Sequence, residues 1–331
     1  MKILVTGATG FVGAAMIRHF AKLPNTEVIA LGRQPNPPAE LLKYAQYLRA
    51  DLDATLPKIT CDACIHTAAI ADDTTSYKAL HKTNVLGTQH LANALVGCQT
   101  FVHISSSSVY DTNRHIHDEY EQVIENQLFS YGKSKRQSEQ ILQTANHIPN
   151  IYILRPRAIY GCGDRVLLPR LLQTVRKGRA IVPGNLTAAT SLTHILNLTQ
   201  AAENCIAKHK AGFYIYNIAD DKTYIYAKVF SALLSGVFHR EIPFLHLPVA
   251  PILAAVGLLE RLGIPTKLTT QSINTLTHPN ILDITRAKRQ LHYRPKFDLY
   301  STLPDIIQWA DEVGLQRLLA AEPDLPWRNF R

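Results

Sequence analysis

The chain has 331 residues, of which 46% are apolar and 18% charged, and a formal net charge of +9. This composition excludes intrinsic disorder, because it supplies enough apolar surface to offset the entropy lost when the chain orders. The basic excess favours anionic partners, but no run of about five like charges occurs, so we do not expect nucleic acid among them. The length predicts one large α/β unit, or a core domain with a smaller companion.

The five cysteines are spread thinly along the chain, which is typical of a reducing compartment. Cys61 and Cys64 form a C-x-x-C, but no second Cys or His pair follows at zinc spacing. We therefore interpret both as buried small apolar side chains and predict no metal site.

The first predicted strand begins at Lys2, which leaves no space for a signal peptide. The most apolar later stretch, Val249 to Leu262, is shorter than the ~20 apolar residues that a membrane span requires. We interpret it as a buried or substrate-facing helix. The sequence thus predicts a cytoplasmic protein without a membrane span.

Short apolar runs alternate with helical patterns through the first half of the chain. The predicted strands are Lys2–Thr6, Val28–Leu31, Tyr47–Leu52, Ala63–His66, Phe101–Ile104 and Ile151–Leu154. The predicted helices are Phe11–Leu23, Tyr77–Val96 and Tyr131–Ala145. Such alternation indicates an α/β fold with a doubly wound parallel sheet and helices on both faces.

After Arg155 the alternation loosens into a basic segment (165–179), a strand (213–218), mostly helical residues 224–262 and a last helix (300–313). We predict a core domain over residues 1–164 with a returning segment near 188–220. A smaller, mostly helical C-terminal cap is predicted over 165–187 and 221–331. The basic segment is interpreted as a solvated helix face, with contact to an anionic substrate as the alternative.

A glycine-rich turn, Thr6-Gly-Ala-Thr-Gly-Phe-Val-Gly13, joins the first strand to the first helix. Glycines there permit a tight turn and close approach of the backbone to a pyrophosphate, which then contacts the helix N-terminus. The position of the motif between a strand and a helix predicts a Rossmann dinucleotide-binding domain.

Tyr131 and Lys135 lie four residues apart on a predicted helix and therefore share one face. A free tyrosine has a pKa of ~10, and a neighbouring ammonium group favours the phenolate, so the pair is suited to proton exchange with an alcohol or ketone. Taken alone, this spacing is more typical of an amphipathic surface pair. Ser105 to Ser108 follow an apolar strand, where a hydroxyl could stabilise a developing oxyanion or simply form a polar turn.

Together the order and spacing of these motifs resemble the extended short-chain dehydrogenase/reductase superfamily over essentially the whole chain. Asn84-Val-Leu-Gly-Thr88 resembles the family helix whose Asn supports the active site, and residues 283–295 resemble the C-terminal signature. The resemblance implies that Tyr131 is the general acid/base and that Lys135 assists it and holds the nicotinamide ribose. Counting back from Tyr110 implies Ser106 as the hydroxyl that orients the reacting oxygen, with Ser107 as the alternative.

The resemblance also implies a set of cofactor contacts. They are Gly7, Thr9, Gly10, Phe11, Val12, Gly13, Asp51, Leu52, Thr67, Ala68, Ala69, Asn84, Lys135 and Arg155. His66 directly precedes Thr67 in the sequence. A core histidine at the end of its strand is at least as good an interpretation of His66 as a ligand contact.

The residues at the end of the second strand indicate which dinucleotide the protein prefers. The position where NAD-using proteins place an Asp or Glu falls at Gly32, and Arg33 follows it. A guanidinium group can pair with a 2′-phosphate, so we predict NADP, with NAD as the alternative. Arg33 facing solvent before Pro35 is the other interpretation.

Within the superfamily, the Asn that is usual in nucleotide-sugar epimerases and dehydratases aligns with Ala158. This difference and the apolar residues 249–262 resemble the 3β-hydroxysteroid dehydrogenase and keto-reductase branch. The leading hypothesis is an NAD(P)-dependent oxidoreductase acting on a secondary alcohol or ketone of a mainly apolar small molecule. A nucleotide-sugar epimerase/dehydratase is the alternative, and a non-catalytic dinucleotide sensor is less favoured because Tyr131 and Lys135 are both present. The resemblance further implies a homodimer that pairs through helices 77–96 and 131–145.

Overall fold

A seven-stranded sheet forms the centre of the computed structural model, which describes residues 1–72, 74–111, 114–125, 128–262, 264 and 268–328. Its strands are β1 (Lys2–Thr6), β2 (Glu27–Gly32), β3 (Gln46–Arg49), β4 (Ala63–His66), β5 (Thr100–Ile104), β6 (Asn150–Pro156) and β7 (Gly212–Ile218). Their order across the sheet is β7-β6-β5-β4-β1-β2-β3, and all neighbours are parallel. The order reverses direction between β1 and β4, and open α/β sheets bind ligands at the carboxyl ends of strands beside such a switch point.

The helices pack on both faces of this sheet and beyond it. They are α1 (Phe11–Phe20), α2 (Tyr77–Leu80), α3 (Gly87–Ala94), α4 (Ser130–Gln143), α5 (Leu167–Leu172), α6 (Ile195–Lys208), α7 (Tyr226–Phe238), α8 (Val249–Arg261), α9 (Thr270–Thr277), α10 (Thr285–Gln290), α11 (Leu299–Val313) and α12 (Leu315–Ala320). A π-helical turn covers His81–Leu86, and 3-10 turns cover Leu41–Lys43, Ser107–Val109 and Leu325–Trp327. None of the helices in the described ranges is long and apolar enough to cross a membrane.

Short strands outside the central sheet join distant parts of the chain. The pairs are Ile59–Thr60 with Leu95–Val96, Ile116–His117 with Ile281–Leu282, Ile159–Tyr160 with Thr193–His194, and Ala189–Ser191 with Thr223–Ile225. A small three-stranded sheet consists of Val175–Arg176, Arg179–Pro183 and Phe244–Leu247.

The core follows the two-residue alternation of the strands. In β1, Ile3 and Val5 pack in the cluster that includes α1 and α6, whereas Leu4 packs in the cluster of the opposite face with residues of α3 and α4. A third cluster of buried apolar side chains joins α5, α7 and α11. The α/β Rossmann fold, with its doubly wound parallel sheet and helical C-terminal residues, is therefore confirmed, while the proposed domain boundaries stay a prediction.

Several predicted elements differ from the structure. The predicted helix Tyr77–Val96 is interrupted by the π-helical turn and ends at Ala94, because Leu95 turns extended and pairs with Ile59. The third strand ends at Arg49, so Asp51 lies in a turn where its carboxylate accepts the N–H of Asp53.

One expectation for the C-terminal half was wrong, and one of two interpretations of a second segment is excluded. The basic segment is not one helix face, because α5 ends at Leu172 and the chain then forms a hairpin. Residues 249–261 are helical as predicted, but Val256 is the only buried residue of this helix. A buried helix is thus excluded, and a substrate-facing helix stays a prediction.

Candidate active site

The glycine-rich turn after β1 is shaped by close backbone contacts. Gly7 has φ +67°, and a Cβ atom there would lie 2.8 Å from the backbone nitrogen of Ala68. A Cβ atom on Gly13 would lie 2.2 Å from the carbonyl oxygen of Gly7. Gly10 begins α1 without a side-chain cap, and no acidic residue lies in the first turn of this fully described helix. Its N–H groups are therefore available to an anion.

The C-terminal residues close over this turn from outside. The indole Nε1 of Trp327 donates to the carbonyl oxygen of Ala8 at 3.2 Å, and Trp327 is buried. Arg18 of α1 lies over the indole ring, 4.6 Å from its centroid, and donates to the carbonyl oxygen of Pro326. No local sequence signal indicates this contact, because it joins residues 319 positions apart.

Helix α4 brings Tyr131 against the serine turn at the end of β5. A Cβ atom on Gly132 would lie 1.9 Å from the carbonyl oxygen of Ser108, so only glycine permits this approach. The hydroxyl of Ser106 donates to Ser108 Oγ and accepts the Ser108 N–H, both at 3.1 Å. Ser106 and Tyr131 are half-buried, whereas Ser107 is buried. Ser106 is thus the more accessible of the two candidate hydroxyls.

Lys135 connects the same helix to the same strand end. Its ammonium group donates to the carbonyl oxygen of Ile104 at 2.6 Å, immediately before the serine turn. Burial lowers the pKa of Lys135 to about 7, although the carboxylate of Glu139 acts in the opposite direction. Lys135, Ser106 and the helix turn that carries Tyr131 therefore lie at the carboxyl end of β5, one strand away from the switch point.

Asn84 fixes the start of α4 from the π-helical turn. Its Nδ2 donates to Ser134 Oγ at 2.9 Å, and Ser134 Oγ donates to the carbonyl oxygen of Tyr131. The Asn84 Oδ1 accepts the N–H of Ile70, which ties the segment after β4 to the same point. π-Helical turns often occur at functional sites, and this one places a buried amide between two loops and the tyrosine helix.

His66, at the end of β4, is a core histidine. Both ring nitrogens are bonded, Nδ1 to Thr6 Oγ1 at 2.7 Å and Nε2 to Thr88 Oγ1 at 2.9 Å. Burial, together with the charge of Lys135, lowers the pKa of His66 to about 3, so the ring is neutral. The neighbouring Thr67, Ala68 and Ala69 are half-buried and remain reachable from solvent.

Arg155 does not fit the role of a cofactor contact. Its side chain is 1% exposed, and its Nε and Nη2 donate to the Glu139 carboxylate at 2.9 and 2.6 Å. Its Nη1 donates to Tyr110 Oη, and Ser105 Oγ donates to the same carboxylate of Glu139. All of the guanidinium nitrogens are held by internal partners, so the expectation for Arg155 is corrected to a buried ion pair that joins β6 to α4.

At the end of β2, Arg33 is exposed to solvent, and Tyr47 packs against the preceding Gly32. A Cβ atom on Gly32 would lie 2.7 Å from Tyr47 Oη, which donates to the carbonyl oxygen of Gln34. A side chain at position 32 would therefore require the Tyr47 ring to move. Arg33 is exposed, as is Asp51, while Leu52 is buried against Gly87.

Arg157 is a buried cation that sequence reasoning missed. Its guanidinium donates to Thr190 Oγ1, Tyr226 Oη and, at 3.5 Å, Ser107 Oγ. It thereby connects the serine turn to the C-terminal half of the chain. Its neighbour Ala158 has φ +43°, a left-handed conformation that Asn adopts more readily than Ala.

A family model described as "NAD dependent epimerase/dehydratase family" matches residues 3–219 of the chain. The match begins in β1 and ends just after β7, so it includes the strands of the central sheet and the serine, tyrosine and lysine positions.

Among curated proteins, the uncharacterized protein YbjS of Escherichia coli is 27% identical over 95% of this chain and 99% of its own length. The 2-alkyl-3-oxoalkanoate reductase of Stenotrophomonas maltophilia is 33% identical over 61% of this chain and 64% of its own length. Among solved structures, the UDP-glucuronic acid 4-epimerase from Bacillus cereus in complex with NAD superposes with a TM-score of 0.74 at 23% identity. That superposition covers 93% of this chain and 98% of the other, and it supports the fold.

Proposed function

This chain belongs to the NAD dependent epimerase/dehydratase family, and we propose that it is an oxidoreductase that interconverts a secondary alcohol and a ketone on a mainly apolar substrate. The observation that carries the proposal is the buried Lys135, whose pKa is lowered to about 7. It lies on the helix of Tyr131 and bonds the strand end that leads into Ser106. A phenol, a nearby amine and a hydroxyl at one strand end are the groups that proton exchange with a carbonyl oxygen requires.

The glycine-rich turn fits a dinucleotide, because Gly7 and Gly13 let the turn pack tightly against the segment after β4 and the start of α1, whose N-terminus has no side-chain cap. Gly7, Gly10 and Gly13 would receive the pyrophosphate at the open N-terminus of α1. Lys135 would hold the nicotinamide ribose. When bound, the nicotinamide ring supplies or accepts the hydride.

In the direction of reduction, Tyr131 would donate its phenolic proton to the carbonyl oxygen of the substrate, and in oxidation it would accept that proton. The Ser106 hydroxyl would donate a hydrogen bond to the same oxygen and orient it. A protonated Lys135 would stabilise the phenolate that Tyr131 becomes after donation. Asn84 acts at a distance, since its bond to Ser134 holds the first turn of α4.

We propose NADP as the preferred dinucleotide. Position 32 is a glycine with Tyr47 packed against it, so it offers no carboxylate that would repel a 2′-phosphate. The exposed guanidinium of Arg33 directly follows and can pair with such a phosphate.

An apolar substrate is supported by two observations. Ala158 offers a methyl group where an amide would contact a nucleotide phosphate. The reductase relative from S. maltophilia is named for a 2-alkyl-3-oxoalkanoate, a ketone that carries apolar alkyl groups beside its carboxylate.

The test is a turnover screen that follows the nicotinamide absorbance with NADPH and NADH. The substrates are 2-alkyl-3-oxoalkanoates, other apolar ketones, UDP-glucose and UDP-glucuronic acid. We expect ketone reduction that Tyr131→Phe abolishes, whereas Tyr120→Phe, a control at an exposed tyrosine, retains it. Epimerisation of a UDP-sugar without ketone reduction would establish the epimerase instead. Dinucleotide binding without turnover on either class would overturn the proposed reaction.

A further inference from the structure

Helix α8 and the strand before it expose an unusual amount of apolar surface. Leu258 and Leu262 are 58% and 64% exposed, and Ile264 and Leu245 are 47% and 41% exposed. These four large apolar side chains lie within 20 residues of one another along the chain. Surface leucines scattered singly need no explanation, but a concentration of this kind marks an interaction surface.

The register of the small three-stranded sheet shows what borders this apolar surface. Ala180 and Val182 are buried, so Arg179 and Ile181 point to the outer face of the strand. Leu245 pairs with Ile181, and Arg176 pairs with Arg179. The outer face therefore carries arginines at one end and apolar side chains at the other, and the apolar end continues through Leu247 into α8.

The basic end contains two more cations. Lys177 lies in the turn between Arg176 and Arg179, and a Cβ atom on Gly178 would lie 3.5 Å from Arg240 Nη2. All four cationic side chains are exposed. Within the described part of the chain, no carboxylate forms an ion pair with any of them.

We propose that this surface, formed by α8, Leu245 and the four cations Arg176, Lys177, Arg179 and Arg240, docks onto an anionic lipid bilayer. A helix of 13 residues spans ~20 Å, so α8 is too short to cross the ~30 Å hydrocarbon core. Its place is parallel to the membrane, with leucines in the interface and the cations at the headgroups. The proposal rests on this surface alone and does not depend on the reaction.

Charge favours a bilayer over a second copy of the chain. A two-fold interface centred on this surface would place the cationic end of each copy against the apolar end of the other, where the charges would be buried without counterions. An anionic headgroup layer attracts those cations, and the attraction weakens as salt screens it.

The test is co-sedimentation of the protein with phosphatidylglycerol/phosphatidylcholine vesicles, with pure phosphatidylcholine vesicles as the neutral comparison. We expect binding to the anionic vesicles at low salt, and at least ~10-fold weaker partitioning to neutral vesicles or at high salt. Arg176→Glu/Arg179→Glu should abolish the preference for anionic lipid. Leu258→Ser/Leu262→Ser should weaken binding to both vesicle types.

Matched controls are Lys22→Glu/Lys78→Glu, which changes the net charge equally at exposed lysines, and Leu42→Ser at a leucine that is 55% exposed. Leu258→Trp adds a second measurement, because its fluorescence should shift to the blue when vesicles are added. Absence of binding to anionic vesicles at low salt would overturn the proposal. The same holds if the control charge variant loses as much binding as the arginine variant. A dimer that Leu258→Ser/Leu262→Ser dissociates, without vesicle binding, would assign the surface to a second copy instead.

Discussion

Replacing Glu139 by Gln should destabilise the fold strongly, because Glu139 is the counterion of a buried arginine. The carboxylate accepts from Arg155 at 2.6 and 2.9 Å and from Ser105 at 2.6 Å, and the two charged side chains are 2% and 1% exposed. Burial alone raises the pKa of Glu139, but the pairing with Arg155 outweighs it and leaves that pKa below its ordinary value. The Glu139→Gln substitution would leave the guanidinium of Arg155 charged, buried and without a counterion.

Removal of one partner from a buried ion pair costs about 3–5 kcal/mol. We expect Glu139→Gln to lower the free energy of unfolding by that amount in urea denaturation at pH 7. Replacing both partners, as Glu139→Met with Arg155→Met, should recover most of the loss, since the buried guanidinium is removed together with its counterion. The control is Glu27→Gln, which removes the exposed partner of Lys2 and should cost less than about 1 kcal/mol.

The difference between parent and Glu139→Gln should also depend on pH. Because the folded-state pKa of Glu139 is lowered, its contribution is present above the unfolded pKa of ~4.3 and is lost as pH falls through the folded value. A cost below about 1 kcal/mol at pH 7, or a double variant as unstable as the single one, would refute the role of this pair.

Tyr131→Phe should bind dinucleotide with near-parent affinity by calorimetry but lose turnover by ~10²-fold or more, and a near-parent kcat would disprove its role as the general acid. Arg33→Ala should weaken NADP by about 10-fold and NAD much less, since one charge-assisted contact is removed; equal weakening of both would contradict the NADP preference. Burial disfavours the charge of Lys135 and gives it a folded-state pKa of about 7. Between about pH 7 and 10 the unfolded chain therefore binds more protons at this group than the folded chain does, and the contribution of Lys135 to the free energy of unfolding rises with pH. Urea denaturation at pH 7 and 9.5 should show that the parent gains stability relative to Lys135→Met, and an unchanged difference would argue against the lowered pKa. Light scattering should give a dimer mass at micromolar concentration, and a monomer mass across that range would remove the dimer.

The parts predictable from sequence were those with a local signature. The apolar runs of β1, β4 and β5 are buried on both faces, so their composition alone indicates central parallel strands. The glycine-rich turn and the spacing of Tyr131 and Lys135 are equally local, and the helix that they predict exists.

The remainder depends on contacts between distant residues. The sequence around Arg155 does not show whether its guanidinium contacts a ligand or Glu139, because only the fold brings Glu139 close to it. The apolar run of α8 does not reveal whether another element covers it, and the structure leaves most of it exposed. The short helix α9 was missed although it has a local signal, the capping box between Thr269 and Ser272.

The bond between Trp327 and Ala8 has a consequence for the order in which the protein is completed during synthesis. Synthesis proceeds from the amino end, so the indole that braces the glycine-rich turn leaves the ribosome 319 residues after Ala8. Until then the carbonyl oxygen of Ala8 does not have this indole as its donor. A nascent or proteolytically trimmed chain can therefore contain every strand of the central sheet, the last of which ends at Ile218, and still lack the contact that braces the glycine-rich turn.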